Sequence, residues 1–244
     1  NLSQKLRAED ADFEDVWDVI SYDGIIFFRT DNNVFGYANG TLKSLWSSRK
    51  NLNYFVIWKS ELVLQDGDNN LYSFGKNGFS PRKGVSRFEK GRISGAVTIN
   101  KDTVLITTIA NGIFYLSEKD ILPWATSNDA LLKNSIIFCA DSGPDGSIVL
   151  GTSFSGLVVI DKYHRIQDIV QKKNGLQNNS VLSIRCTPAG NVWLGLDNGI
   201  DLVELLSPVR TLYPDSELQG TGYAFASHKG RLYFGTNTGL YTLP

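Results

Sequence analysis

The chain has 244 residues, 42% apolar and 20% charged, with 24 basic against 25 acidic side chains and a formal charge of −1. That balance excludes a disordered chain and gives no support to a broad nucleic-acid-binding face, while two cysteines exclude a disulfide scaffold or a cysteine-rich zinc site. No apolar run reaches the ~18 residues of a membrane span, and the first ten residues, NLSQKLRAED, do not read as a signal peptide. The absence of methionine predicts a piece of a longer chain, in which any anchor lies elsewhere.

The 13 phenylalanines, 10 tyrosines and 5 tryptophans, with 23 glycines spread along the chain, favour strands joined by tight turns. Aromatic side chains cover pleated surfaces, and glycine takes positive φ in turns. In chain order, Val16–Ile20 is predicted as a strand, turned at Tyr22-Asp23-Gly24 into Phe27-Phe28-Arg29, then Val34–Tyr37 and Leu42–Trp46. Tyr54–Trp58 follows, with Val63-Leu64-Gln65 leading to Leu71–Phe74. A third group runs Ala96–Ile99, Ile106-Thr107-Thr108 and Ile113–Leu116, and a single helical turn is expected at Asn128–Lys133. The fourth group is Ile136–Ala140, a turn at Pro144-Asp145-Gly146, Val149–Thr152, Leu157–Ile160 and Ile166–Val170. The fifth is Val181–Ile184, a turn at Pro188-Ala189-Gly190, Val192–Gly195, Ile200–Val203 and Arg210–Tyr213. Tyr223–Ala226, Tyr233–Thr236 and Leu240–Leu243 make the sixth.

These groups repeat. The first apolar residues of successive third strands are Val34, Leu71, Ile113, Leu157, Ile200 and Leu240, at intervals of 37, 42, 44, 43 and 40 residues. A period of about 40–45 residues with several short strands per unit is that of a β-propeller blade. The fold class predicted is therefore all-β, a propeller of four-stranded antiparallel blades with about six blades in this chain. One domain is expected over 1–244, with units near 13–48, 53–87, 91–127, 134–173, 178–215 and 220–244. Residues Leu2–Leu6 are candidates to complete the last blade, since a terminus that adds a strand removes an exposed edge; the alternative is a missing blade, cut from this chain.

In such blades the turns between second and third strands emerge on one face, together with the connections to the next blade. That face would gather Arg29–Asn33, Ile109–Asn111, Ser153–Ser155, Leu196–Asn198 and Asn237–Thr238, with Asp12–Asp15 and Gln177–Ser180. Short amides and hydroxyls suit a neutral polar ligand such as a glycan, although turns favour the same residues for backbone reasons. The candidate ligand-binding residues are Asn32, Asn111, Phe154, Asn179, Asp197 and Asn237.

Chemistry finds little support. His164 and His228 read as solvated turn residues. Asp66-Gly67-Asp68-Asn69-Asn70 alternates oxygen-bearing side chains, but a helix-flanked calcium loop needs glycine at its sixth position and glutamate at its twelfth, where Leu71 and Asn77 stand. Asp18, Asp141 and Asp197 are the carboxylates that would have to converge on a central metal, and no spacing brings them together. Cys139 and Cys186 read as buried thiols. Trp193 is expected between blades and Trp124, after Pro123, at the surface, with Trp17 and Trp58 undecided between core and a sugar-stacking face. No catalytic residue, metal or cofactor is expected.

Asn174-Gly175-Leu176-Gln177-Asn178-Asn179-Ser180-Val181, followed by Gly190-Asn191-Val192-Trp193-Leu194-Gly195 and Asp197-Asn198-Gly199-Ile200, resembles the two-component regulator propeller repeat. It departs at Pro188 and Ala189, where an acidic turn is usual. Asp12-Phe13-Glu14-Asp15-Val16-Trp17, Asn111-Gly112-Ile113-Phe114 and the run from Gly151-Thr152 to Asp161 extend the likeness to the sensor region of triple-tyrosine-motif regulators of Bacteroidetes-like bacteria. The likeness covers most of 10–244, strongly over 134–204 and weakly over 50–90. It implies a fragment of a larger propeller array outside the cytoplasmic membrane, in the periplasm, feeding a histidine-kinase or DNA-binding output through segments absent here. It also implies sensing without chemistry, often of polysaccharide breakdown products. The partners expected are a small polar ligand or glycan, further propeller domains of the same protein and a second copy in a homodimer, with no nucleic acid and no membrane contact by this region. The alternatives are a pure interaction scaffold and, more remotely, a metal-dependent propeller hydrolase.

Overall fold

The computed structural model describes residues 15–118, 120–143, 145–207 and 221–243. Sheet 1 consists of β1 (Asp18–Tyr22), β2 (Ile25–Arg29), β3 (Asn33–Ala38) and β4 (Thr41–Ser47). Sheet 2 consists of β5 (Leu52–Trp58), β6 (Glu61–Asp66), β7 (Leu71–Gly75) and β8 (Gly78–Pro81). Sheet 3 holds β9 (Ile93–Thr98), β10 (Val104–Thr108), β11 (Ile113–Leu116) and β12 (Ile121–Pro123), and a one-turn helix, α1 (Asp129–Lys133), follows it. Sheet 4 holds β13 (Ile137–Ser142), β14 (Ile148–Thr152), β15 (Leu157–Ile160) and β16 (Ile166–Val170). Sheet 5 has β17 (Val181–Cys186), β18 (Asn191–Leu196) and β19 (Ile200–Glu204), and sheet 6 has β20 (Gly222–His228), β21 (Arg231–Thr236) and β22 (Leu240–Leu243). Every sheet is an antiparallel meander, and the first strands of sheets 1 to 5 are neighbours in succession around a hub. These are propeller blades.

The first three strands of each unit match the sequence reading, as does the helical turn, capped by the Asn128 side chain accepting from Leu131 N–H. β8 and β12 are additional: at four and three residues, with Pro81 and Pro123 at their ends, they are too short to show a periodic pattern. Leu2–Leu6 and Arg210–Tyr213, expected to complete blades, lie outside the described residues, as does Pro144 of the fourth-unit turn.

The threonine that recurs three or four residues before a glycine, between second and third strands, has a physical cause. At the end of β14, Thr152 Oγ1 accepts from Ser155 N–H at 2.9 Å and donates to Gly156 O at 3.0 Å. Thr108 does the same with Asn111 N–H (3.0 Å) and Gly112 O (2.8 Å), and Thr236 with Gly239. The hydroxyl thus takes up a turn N–H and adds a second bond to the glycine carbonyl, which also accepts the threonine's own N–H. In sheet 2 Asp66 substitutes, its carboxylate accepting from Asp68 and Asn70 N–H. Gly156 sits at φ 71° against Val170 O, where a Cβ has neither a favourable backbone nor room.

Sheets 1 to 5 pack face to face in succession through one hydrophobic cluster per junction. Phe27 and Val34 meet Leu52, Phe55, Leu62 and Leu64 between sheets 1 and 2. Trp58 and Leu71 meet Phe88, Ile93 and Ile106 at the next junction. Leu105 and Ile113 meet Ile148 and Leu150 between sheets 3 and 4, and Val149 and Leu157 meet Val192 and Leu194 between sheets 4 and 5. Each fully buried side chain of this size contributes roughly 1.5–3 kcal/mol by leaving water.

The hub-side edge of each first strand has no sheet partner, so its backbone groups need others. Side chains of the preceding sheet supply them. Arg29 Nη1 donates to Leu52 O at 2.7 Å and Asp18 accepts Phe55 N–H at 3.3 Å. Gln65 accepts Ile93 N–H and donates to Gly91 O, both at 2.8 Å. Asp141 accepts Cys186 N–H at 2.8 Å, and Cys139 Sγ lies 3.7 Å from Val181 O.

Three tryptophans correct or settle the sequence reading. Trp124 is buried, 6% exposed, because β12 folds back along β11 and lays the indole on the cluster between sheets 3 and 4. Trp58 is core, with its N–H on Asp102 O and the Arg82 guanidinium 3.7 Å over its ring. Trp193, expected between blades, is half exposed, because it lies on the face of sheet 5 turned away from sheet 4.

Candidate functional site

The turns after β2, β6, β10, β14 and β18 occupy one position in the repeat, so sheets 1 to 5 bring theirs to one end of the hub. The connection between sheets 1 and 2 runs along this end, where Ser48 N–H donates to Asn32 O and Leu52 N–H to Asp31 O. Further on, Gly156 N–H donates to Asn179 O and Asp197 N–H to Ser180 O.

Of the six candidate residues, three use their side chains to hold this backbone. Asn111 Nδ2 donates to Lys90 O at 2.8 Å, Asn179 Oδ1 accepts from Lys172 N–H, and Asn237 Oδ1 accepts from Thr221 N–H at 2.8 Å. The other three, Asn32, Phe154 and Asp197, are exposed, Phe154 at 72%. Asn32, Asn111, Phe154, Asn179 and Asp197 share the end of sheets 1 to 5, and Asn237 sits at the same repeat position in sheet 6. The arrangement offers hydrogen-bonding groups and one exposed ring at the same end of the hub.

Sequence reading missed the bulges. The pairing registers of β5, β9, β13, β17 and β20 skip at Asn53, Ser94, Phe138, Leu182 and Tyr223, next to the turn end of each strand. Tyr223 and Leu182 are exposed. Bulges re-aim side chains near sites, and in β13, β17 and β20 they place apolar groups at the level of the polar turns, whereas in β5 and β9 they hold buried Asn53 and Ser94. Alternation within Val181–Ile184 or Tyr223–Ala226 carries no mark of the extra residue. Gln177 was also read only as a polar turn residue, yet its amide donates to Asp201 Oδ1 at 2.6 Å and its N–H to Asp201 Oδ2 at 2.8 Å.

Deeper in the hub, burial raises the Asp18 carboxyl above its ordinary value, against the opposing pull of Arg29 at 3.8 Å. Burial likewise lowers the Arg29 guanidinium. The Tyr54 hydroxyl, near Asp18, Cys139 and Asp141, is also pushed up, by burial first and then by those negative charges. Among the described residues no group of three histidine, cysteine or carboxylate side chains is placed to hold a metal ion; Asp18 and Asp141 each bond the next sheet's backbone, and Asp197 stands at a turn. In the Asp66–Asn70 segment, Asp66 accepts from Asn70 Nδ2 and the Tyr72 hydroxyl besides the turn N–H groups. His164 is more than a solvated turn residue, since its ring bonds Trp124 and Ala125. Cys139 and Cys186 are both free and half-buried, at the junction of sheets 4 and 5.

Residues 175–198, which contain Asn179 and Asp197, match the model of the two component regulator propeller family. The chain carries a two component regulator propeller repeat. No curated protein matches the sequence. Solved structures resemble the fold at low identity. The extracellular domain assigned to the hybrid two component system BT3049 of B. thetaiotaomicron superposes with a TM-score of 0.60 at 15% identity, over 93% of this chain and 33% of that one. PorZ, a surface component of the type-IX secretion system of Porphyromonas gingivalis, gives 0.57 at 13% identity, over 99% of this chain and 47% of that one. The WD40 β-propeller domain of Doa1 gives 0.58 at 13%, over 77% and 62%. These likenesses show the β-propeller fold, and this chain spans under two thirds of each of these structures. No helix among the described residues is long and apolar enough to cross a membrane.

Proposed function

We propose that this chain is the sensor propeller of a bacterial signal-transduction regulator, held on the periplasmic side of the membrane. It binds a small neutral polar molecule of the oligosaccharide class on the turn end of its hub and performs no chemistry. The observation that carries the reading is the family match over 175–198, because that segment supplies Asn179 and Asp197 to the turn end. The likeness to extracellular domains of two component systems supports it. Phe154 offers a ring face for a sugar's C–H surface, while Asn32 and Asp197 offer donors and acceptors at the same end of the hub. A ligand touching turns of adjacent sheets would shift their relative placement only as far as it binds one placement more tightly than the other.

The experiment is a thermal-shift screen of the purified chain against neutral mono- and oligosaccharides, with product analysis of each mixture. A raised Tm that Phe154→Ala abolishes, with the sugar recovered intact, is the expected result. Turnover of any sugar, or binding that ignores both Phe154→Ala and Asp197→Ala, overturns the reading.

A further inference from the structure

The connection from β8 to β9, residues 82–92, carries Arg82, Lys83, Arg87, Lys90 and Arg92 against a single acid, Glu89, in a chain of formal charge −1. Arg82 turns inward over Trp58. The other four cations are exposed, and among the described residues none has an ion-pair or hydrogen-bond partner for its side chain. The acids of the adjoining β6–β7 turn are engaged. Asp66 accepts from its own turn, Asn70 Nδ2 and the Tyr72 hydroxyl, and Asp68 takes Lys50.

The backbone beneath these cations is fixed. Residues 86–88 run antiparallel to 69–71 through a bridge between Arg87 and Asn70, with Leu71 N–H donating to Ser86 O and Phe88 N–H to Asn69 O, both at 2.8 Å. Phe88 is fully buried between sheets 2 and 3, so Arg87, its neighbour in an extended segment, projects the other way into solvent. Lys90 O accepts from Asn111 Nδ2 and Gly91 O from Gln65 Nε2, each at 2.8 Å, and Arg92 O accepts from Ile109 N–H at 3.1 Å. Arg87, Lys90 and Arg92 thus form a row at the turn end, from the turn of sheet 2 to the start of β9. Arg92 stands near enough to the hub for its charge to add to burial, the larger cause, in lowering the Arg29 guanidinium.

One rung of this segment is open. In a bridge of this pattern the N–H and C=O of the bridged residue point away from the partner strand. Neither group of Arg87 has a hydrogen-bond partner among the described residues. We propose that the row docks an extended acidic segment of another polypeptide. The segment's backbone bonds the open N–H and C=O of Arg87, and its carboxylates lie along Arg87, Lys90 and Arg92. Strand addition to an open edge and capture of acidic motifs by clustered cations are two general modes of peptide recognition, and here they coincide. An acidic sugar polymer fits less well, because the one ring of the connection, Phe88, is buried and leaves no face for stacking. The inference does not rest on the ligand reading above, whose Asn32, Phe154 and Asp197 lie on other turns.

The test measures fluorescence anisotropy of a labelled decapeptide of alternating Glu and Thr with the full chain, at low and high NaCl. Docking predicts binding that weakens as salt rises and falls about tenfold in the triple variant Arg87→Gln, Lys90→Gln, Arg92→Gln. Removing the same charge at exposed Lys43, Lys101 and Lys229 should leave the affinity unchanged. With the wild type, the same peptide N-methylated along its backbone, and an oligogalacturonate of equal charge, should each bind more weakly. Absence of peptide binding overturns the proposal, as does binding that the row variant leaves intact. Equal or tighter binding of the methylated peptide or the oligogalacturonate also overturns it, by showing a surface that takes any polyanion.

Discussion

The indole N–H of Trp124 donates to Nε2 of His164 across 3.0 Å, joining the end of sheet 3 to the β15–β16 turn 40 residues later. With Nε2 accepting, the proton sits on Nδ1, which donates to Ala125 O at 3.2 Å. His164 adopts φ 65°, so glycine removes the side chain without adding backbone strain. We expect His164→Gly to leave a buried indole N–H unpaired and to lower unfolding free energy by about 1–3 kcal/mol. Urea denaturation of His164→Gly, Trp124→Phe and the double variant checks this, since the coupling should vanish when both partners are gone.

Gln65 is fully buried and bonds the backbone of the next sheet twice. Replacing it by leucine keeps the volume but strands Ile93 N–H and Gly91 O, for a loss of about 2–5 kcal/mol. Gln65→Glu should fall in between, because it retains the acceptor. Hydrogen exchange at Ile93 in each variant reads the effect directly.

Burial pushes the thiols of Cys139 and Cys186 up to about 12 from an ordinary 9.0. At a given pH near neutrality the native thiolate fraction is then about 10³-fold below that of a free thiol. A thiol-selective disulfide reagent at pH 8 should label neither cysteine in the native protein and both in urea. Because these folded-state values lie above the unfolded ones, their contribution to stability is complete below pH 9 and fades as pH climbs toward 12. Cys139→Ala should therefore flatten the alkaline limb of the stability profile.

Thr152 illustrates the turn chemistry. Thr152→Val removes both hydroxyl bonds at a fully buried site and should cost about 1–3 kcal/mol, whereas Thr152→Ser should be nearly neutral. Thermal melts of the two variants separate loss of the hydroxyl from loss of the methyl.

The propeller was legible in the sequence because its signals are local and repeated: paired apolar strands joined by short glycine-bearing turns, and a period near 41. The edge strands β8 and β12 were not, being too short to carry alternation. Trp124 was misplaced because Pro123 reads as a loop residue, while its burial depends on β12 pairing with β11 and on a histidine 40 residues away. Trp193 has the alternation of an interface residue, and no local pattern reports whether the facing sheet is in place. At the candidate site, the turn residues were found from repeat position alone. That Asn111, Asn179 and Asn237 hold the connections was hidden, since their partners Lys90, Lys172 and Thr221 lie in segments without pattern.

The side-chain bonds along the hub all run one way. Asp18, Arg29, Gln65 and Asp141 each reach from an earlier sheet to the backbone of a later one. Such an array has a polarity, like a staircase in which every tread rests on the one below. Damage at a given step should loosen those that follow and spare those before, so that exchange of amide protons in Asp141→Ala would quicken in β17 while β13 keeps its pace.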